Sequence, residues 1–124
     1  MTLSILIVDD SELTRLTHVA IVESLGHHAI EAENGKQALE VLTRSKVDLI
    51  LADLNMPVMD GYAFVAAVRA FDDFADIPIA VATTEAGDDD RRRAYEAGAD
   101  VYLVKPLEAH ALRERITLLL GERR

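Results

Sequence analysis

A chain of 124 residues, half of them hydrophobic and 28% charged, has the length and composition of one globular domain and argues against disorder. It contains no cysteine, which excludes disulfides, thiolate metal sites and cysteine nucleophiles. Thirteen Lys and Arg against 22 Asp and Glu leave a net charge of −9, which argues against DNA as a partner, because phosphate binding needs a basic surface.

Residues 3–8 are a β-branched run ending in Asp9 and Asp10, which predicts a first strand. Ser11 is a good N-cap for the next stretch, where Leu13, Leu16, Thr17 and Ala20 share one helical face and Val19 and Val22 widen the apolar stripe. Gly26 fits the helix stop. Residues 28–33 read as a weak second strand, and Asn34-Gly35 is a turn signal. Within 36–45, Ala38, Leu39, Val41 and Leu42 have the spacing of a helix core face. Residues 47–52 form a strongly apolar strand ending in Asp53, and Met56-Pro57 and Asp60-Gly61 punctuate the loop after it. Phe64, Val68 and Phe71 fall at i, i+4 and i+7 and predict a third helix. Residues 77–82 are a further strand, ending in Thr83-Thr84. Asp88-Asp89-Asp90 puts acid at a helix start, where the macrodipole favours it, and Gly98 ends that helix. Residues 101–104 are the last strand, followed by Lys105-Pro106, and Leu112, Ile116 and Leu119 mark a final amphipathic helix.

Five βα units in sequence, with strands apolar enough to be buried on both faces, predict an α/β fold: a doubly wound parallel sheet with right-handed crossovers. The longest apolar runs are too short to cross a bilayer, and the N-terminus carries no signal pattern. A single cytoplasmic domain over residues 1–124, monomeric and with no membrane partner, is expected.

In a parallel sheet the carboxyl ends of the strands lie at one edge, where sites form. The first, third, fourth and fifth strands end in Asp9 and Asp10, Asp53, Thr83 and Lys105. Taken singly, an Asp after a strand is a cap or turn residue and a Lys-Pro is a turn. Their joint placement carries the functional reading: three carboxylates, one hydroxyl and one ammonium in one pocket. Two like charges at ~4 Å repel by roughly 4 kcal/mol at an effective dielectric of 20, so the acids need a cation. One lysine leaves the cluster negative, and a hard divalent ion with oxygen ligands, Mg²⁺ above others, is the natural complement. With the metal bound, the pocket can accept a phosphoryl group, with a carboxylate as covalent nucleophile.

Other features carry less. Arg91-Arg92-Arg93 reads first as a solvated helix face partnering the preceding acids and second as a docking surface for an anionic ligand or acidic partner. His18, His27, His28 and His110 lack metal-ligand spacing, and Arg123 and Arg124 read as a tail. Asp53-x-Asn55 begins like a calcium loop, but Pro57 stands where a third ligand belongs.

The blocks Val8-Asp9-Asp10-Ser11, Asp53-Leu54-Asn55-Met56-Pro57-Val58-Met59-Asp60-Gly61, Thr83-Thr84-Glu85 and Val104-Lys105-Pro106 resemble the signature blocks of two-component response-regulator receiver domains, in order and with family-like spacing. The resemblance covers essentially the whole chain. It implies a flavodoxin-like sheet of order 2-1-3-4-5 and a phosphoacceptor signalling protein rather than an enzyme acting on a separate substrate. Asp53 is then the phosphoacceptor. Asp10 and Asp53 coordinate Mg²⁺ through side chains and Asn55 through its backbone carbonyl, with Asp9 acting through metal-bound water. Lys105 pairs with the phosphoryl group, and Thr83 moves to hydrogen-bond it. Tyr102 sits at the switch aromatic and rotates inward into the space Thr83 vacates, with β-branched Thr84 bordering its path. Pro106 follows a cis peptide bond. Asn55 and Glu85 occupy positions that border the attacking water and tune dephosphorylation. Asn55-Met56-Pro57 with Thr83-Thr84-Glu85 resembles the single-domain chemotaxis type, which implies a histidine kinase as phosphodonor, a phosphatase, and a target such as the flagellar motor switch.

Four readings compete on these residues. A phosphorylated signalling module accounts for every strand-end residue. A phosphatase or phosphotransferase lacks the second carboxylate, because Asn55 stands two residues after Asp53. A flavin binder lacks a phosphate loop after the first strand, where Asp9 and Asp10 would repel a phosphate. A stand-alone receiver serving as phosphate sink, phosphorelay or cell-cycle adaptor, or constitutive scaffold, remains the alternative output.

Overall fold

Strands that are apolar at every position need cover on both faces, and here helices supply it. The computed structural model describes residues 2–56, 58–84 and 87–120. Its elements run β1 (Ser4–Val8), α1 (Glu12–Ser24), β2 (His28–Ala32), α2 (Gly35–Arg44), β3 (Leu49–Asp53), α3 (Gly61–Ala70), β4 (Ile79–Thr83), α4 (Asp88–Ala97), β5 (Val101–Val104) and α5 (Ala109–Leu120). The strands are all parallel, in the order β2-β1-β3-β4-β5 that the resemblance implies.

Side chains alternate across the sheet, and the alternation decides what each strand end can reach. Leu6, Val8, Ile50, Ala52, Ile79, Val81 and Tyr102 pack with α2, α3 and α4. Ile5, Ile7, Leu49, Leu51, Ala80, Ala82, Val101 and Leu103 pack with α1 and α5. Asp9, Asp53 and Lys105 continue the α1–α5 parity, whereas Thr83 continues the α4 parity.

Most helix ends follow local sequence chemistry. The side chains of Ser11, Asn34 and Asp60 each accept from a backbone N–H three residues on, at 3.3, 2.8 and 2.8 Å, and so cap α1, α2 and α3. Asn34-Gly35 is therefore a helix start as well as a turn. Gly26 and Gly98 follow α1 and α4 with φ of 87° and 120°.

Three expectations need correction. The buried stripe of α1 is Arg15, His18 and Val22, not Leu13, Leu16, Thr17 and Ala20, which are exposed. The helix is rotated because Arg15 reaches inward: its Nη1 donates to the Asp9 carbonyl at 3.0 Å and its Nε pairs with Glu31 at 2.8 Å. Phe71 is the exposed C-cap of α3, and its ring meets Phe74 with centroids 5.7 Å apart. Strands β3 and β4 start two residues later than the apolar runs suggest. Asp48 is occupied before β3, with its carboxylate accepting from Ser4 N–H at 2.8 Å, and Pro78 before β4 has no N–H to donate.

The segment carrying Asp53 and Asn55 is held by close packing. A Cβ on Gly61 would overlap the Leu54 Cα and lie 2.6 Å from the Asp53 carbonyl oxygen. Val58, solvent-exposed in the same loop, has a φ of 71°, which a β-branched residue rarely adopts. At the far side, Arg69 donates to the carbonyls of Gly98, Ala75 and Ile77 and pairs with Asp100, whose carboxylate also accepts from Ile79 N–H. That node ties the start of β4 to the end of α4.

Two substitutions in the Asp53 loop are expected to act in opposite directions. Val58→Gly should raise the unfolding free energy by about 1 kcal/mol, since glycine adopts positive φ freely. Gly61→Ala should lower it by about 1–3 kcal/mol, since the methyl meets backbone. Urea denaturation of both variants, with unchanged m-values, checks the pair.

Candidate functional site

The strand ends are held in register by backbone bonds that run past the strands. Asp9 N–H donates to Ala32 O at 3.1 Å, Leu54 N–H to Ala82 O at 3.2 Å and Lys105 N–H to Thr83 O at 2.8 Å. Asp9, Asp53 and Lys105 therefore emerge side by side at the carboxyl edge. Lys105 Nζ lies 3.0 Å from Asp9 Oδ2 and 3.4 Å from Asp53 Oδ1. Asp9 and Asp53 are buried and Asp10 is exposed, yet one carboxylate oxygen from each lies within 4.8 Å of the others. The Lys105-Pro106 peptide is cis.

The remaining bonds fix orientation. Asp9 Oδ1 accepts from Ser11 N–H at 2.9 Å, so the residue that caps α1 also braces the first acid. Asp53 Oδ1 accepts from Asn55 N–H at 3.2 Å. Asn55 Nδ2 donates to Thr83 Oγ1 at 3.2 Å, joining the loop after β3 to the end of β4. Thr83 is fully buried. Thr84 is exposed and lines a cleft of about 400 Å³ with Leu13, His18, Lys105 and Pro106. Tyr102 lies away from the acids, buried on the α4 side of the sheet beside Val81. Glu85 and Pro57 lie outside the described residues.

Burial pushes the Asp53 carboxyl above its ordinary 3.8, and the neighbouring Asp9 adds to this, while the Asn55 N–H and the Lys105 ammonium work against it. Burial also pushes the His18 imidazole below 6.5, with the Lys105 charge acting in the same sense and Asp9 opposing. Three carboxylates and one ammonium leave two negative charges in excess. Hard oxygen donors at this separation, with no soft ligand among the described residues of the cluster, fit a small divalent cation such as Mg²⁺.

Sequence reading gathered Asp9, Asp10, Asp53, Asn55, Thr83 and Lys105, and they do meet here. It missed Arg15, whose buried guanidinium holds the Asp9 carbonyl, and the burial of His18. The signal that could have found them is a polar residue repeating at i and i+3 just after the paired acids. The arginine triplet does not form one patch. Arg92 pairs with Asp89 at 3.1 Å and Glu96 at 3.6 Å along α4 itself, while Arg91 lies over the Tyr102 ring and Arg93 over the Tyr62 ring.

Comparison with known proteins agrees with this geometry. A model of the response regulator receiver domain matches residues 5–117. A gliding motility regulatory protein of Myxococcus xanthus is 40% identical over 103 residues, which is 83% of this chain but only 13% of that protein's length. A chemotaxis protein CheY homolog of Campylobacter jejuni subsp. jejuni (strain 81-176) is 37% identical over 121 residues, 96% of this chain and 93% of that one. The solved receiver domain of a sensor histidine kinase from Pseudomonas aeruginosa PAO1, with a magnesium ion coordinated in its active site cleft, matches with a TM-score of 0.90 at 30% identity, over 98% of this chain and 99% of that one.

Asp53 and His18 have opposite pH signatures. For Asp53 the folded-state value is raised, so the folded chain holds this proton more tightly and stability is lost as pH rises through the range above 3.8. Asp53→Asn should therefore be more stable than the parent at neutral pH, with the gap closing in acid. For His18 the folded-state value is lowered, so its stability is complete above 6.5 and lost as pH falls below it. His18→Leu should flatten the fall in stability between about pH 7.5 and about pH 5. Chemical denaturation from about pH 3 to about pH 7.5 reads both; equal pH slopes in parent and variant would contradict the assigned cause.

Proposed function

The chain belongs to the response regulator receiver domain family, and from that premise we propose that Asp53 accepts a phosphoryl group from a phosphohistidine on a partner kinase. The observation that carries the reading is the Lys105 ammonium set between Asp9 and Asp53, with Asp10 alongside. An Asp53 carboxylate oxygen forms the new bond to phosphorus as the phosphorus–nitrogen bond of the donor breaks, and the electron pair returns to the donor imidazole. The chain's own contribution is positioning and charge compensation. Asn55 N–H steadies the Asp53 oxygen, and Lys105 pairs with the oxygens of the incoming group. Asp9, Asp10 and Asp53, with the Asn55 backbone carbonyl, are the groups that would hold Mg²⁺. That ion supplies positive charge against the phosphoryl oxygens.

Thr83 connects the chemistry to the rest of the molecule. Its hydroxyl accepts from Asn55, and the phosphoryl group offers it a charge-assisted alternative as donor. Its side chain shares the α4 face of the sheet with Tyr102, so a moved Thr83 changes the packing beneath α4. The surface of α4, β5 and α5 is then the output face, and the bound phosphoryl group selects between two packings of it. Thr84 bears on this switch, and Asn55 and Glu85 tune loss of the phosphoryl group. The Campylobacter relative, a chemotaxis protein CheY homolog, favours an output in chemotaxis; a motor-switch protein is the target proposed for it.

The test is phosphorylation with acetyl phosphate, followed by electrophoresis that retards phosphoprotein. The parent should be labelled with Mg²⁺ and unlabelled with EDTA, and Asp53→Asn should be unlabelled in both. Lys105→Ala should bind Mg²⁺ and show weaker beryllofluoride-induced change. Equal labelling of Asp53→Asn and parent would remove Asp53 as acceptor.

A further inference from the structure

Helix α4 has little apolar grip on the sheet. Of Asp88–Ala97 only Ala94 is buried. Two guanidinium groups lying on tyrosine rings secure its first turns. Arg93 Cζ is 4.0 Å from the ring centroid of Tyr62 on α3, and the Tyr62 hydroxyl lies 3.4 Å from both the carbonyl and a carboxylate oxygen of Asp90. Arg91 Cζ is 5.1 Å from the ring centroid of Tyr102 on β5. A cation this near a ring face is attracted by the ring quadrupole. Residues two apart on a helix point to opposite flanks, so the two stacks fasten α4 on both sides. Arg92, between them, is engaged along the helix with Asp89 and Glu96.

We propose that Arg91 is a positioning residue for Tyr102, and that it holds the ring in its buried place before any phosphoryl transfer. The proposal deepens the reading above and rests on it for its consequence. Tyr102 is 7% exposed and packs in the core beneath α4. It pairs with Val81 across the β4–β5 ladder, and Thr83 follows two residues later on the same face. The ring's place and the place of Thr83 are thus coupled by packing. With Arg91 over it, the ring is already buried while Thr83 still holds its bond to Asn55. Phosphorylation then has less to rearrange, and the tyrosine and α4 move as one unit. A guanidinium stack of this kind biases the ratio of buried to exposed ring by roughly 2- to 5-fold.

The chain has three tyrosines, so 3-fluorotyrosine labelling yields three fluorine resonances, assigned by Tyr→Phe replacement. The solvent isotope shift of each resonance reports the exposure of its ring. In Arg91→Ala the Tyr102 shift should move toward that of exposed Tyr95, while Tyr62 stays in place. Arg91→Lys, which keeps the charge, should restore part of the burial, and Arg92→Ala should leave Tyr102 unmoved. Adding Mg²⁺ and beryllofluoride should then displace the Tyr102 resonance further in Arg91→Ala than in the parent. A Tyr102 shift identical in Arg91→Ala and parent would overturn the proposal, as would an equal change in Arg92→Ala. Backbone amide resonances around Asp53 separate the two readings. If they fail to respond to beryllofluoride in every variant, the phosphoacceptor reading fails, and the ligand-free Tyr102 shift still decides the role of Arg91.

Discussion

A single ammonium group between two buried carboxylates sets the terms for this molecule. Asp9 and Asp53 stand on neighbouring strands at an edge where repulsion would drive them apart, and Lys105 Nζ bridges them at 3.0 and 3.4 Å. Asp9 and Lys105 are 96 residues apart in the chain. They meet because β1 and β5 run parallel in one sheet and because backbone bonds continue past the strand ends. The compensation is incomplete: burial still pushes Asp53 above its ordinary value, and Asp10 adds a third carboxylate. That residual negative charge makes the edge a place for a divalent cation and, with it, for a phosphoryl group.

The sheet separates two tasks by side-chain parity. Asp9, Asp53 and Lys105 fall on the parity of the α1–α5 layer, and Thr83 and Tyr102 on that of the α4 layer. Asn55 crosses between them, bonding Asp53 through its backbone N–H and Thr83 through its side chain. A change at the acids can therefore reach the α4 side through one short link. The helices differ in how firmly they answer. α3 buries Phe64, Val65 and Val68, whereas α4 buries Ala94 alone and leans on guanidinium–aromatic stacks. Contacts of that kind are weaker than buried apolar area and easier to exchange, which suits a helix at an output surface.

The strand ends were legible because their signal is local: an apolar run, then a charged or hydroxylic residue. The same holds for the cap at Ser11, where the capping side chain and its N–H are three residues apart, whereas Asn34-Gly35 and Asp60-Gly61 read as turn and loop signals and prove to be the starts of α2 and α3. The face of α1 was not legible. Its apolar residues spread around the helix, and the choice between faces was made by Arg15, whose partners Asp9 and Glu31 arrive from the ends of two other elements. Phe71 continued a helical spacing past the point where the helix stops. Among Arg91, Arg92 and Arg93 the sequence shows identical charges, but the three side chains have different neighbours, and only the fold supplies those.

By itself the sequence determined the alternation of five strands and five helices, their parallel arrangement and the set of polar residues at one edge, since each follows from periodicity or from residues adjacent in the chain. The tertiary structure decided which face of α1 is buried, that Lys105 bridges Asp9 and Asp53, that Asn55 bonds Thr83, and that Arg91 lies on Tyr102. Each of these is a contact between elements, set by how helices rotate and dock on a twisted sheet, and the partners that fix that rotation lie far away in the chain.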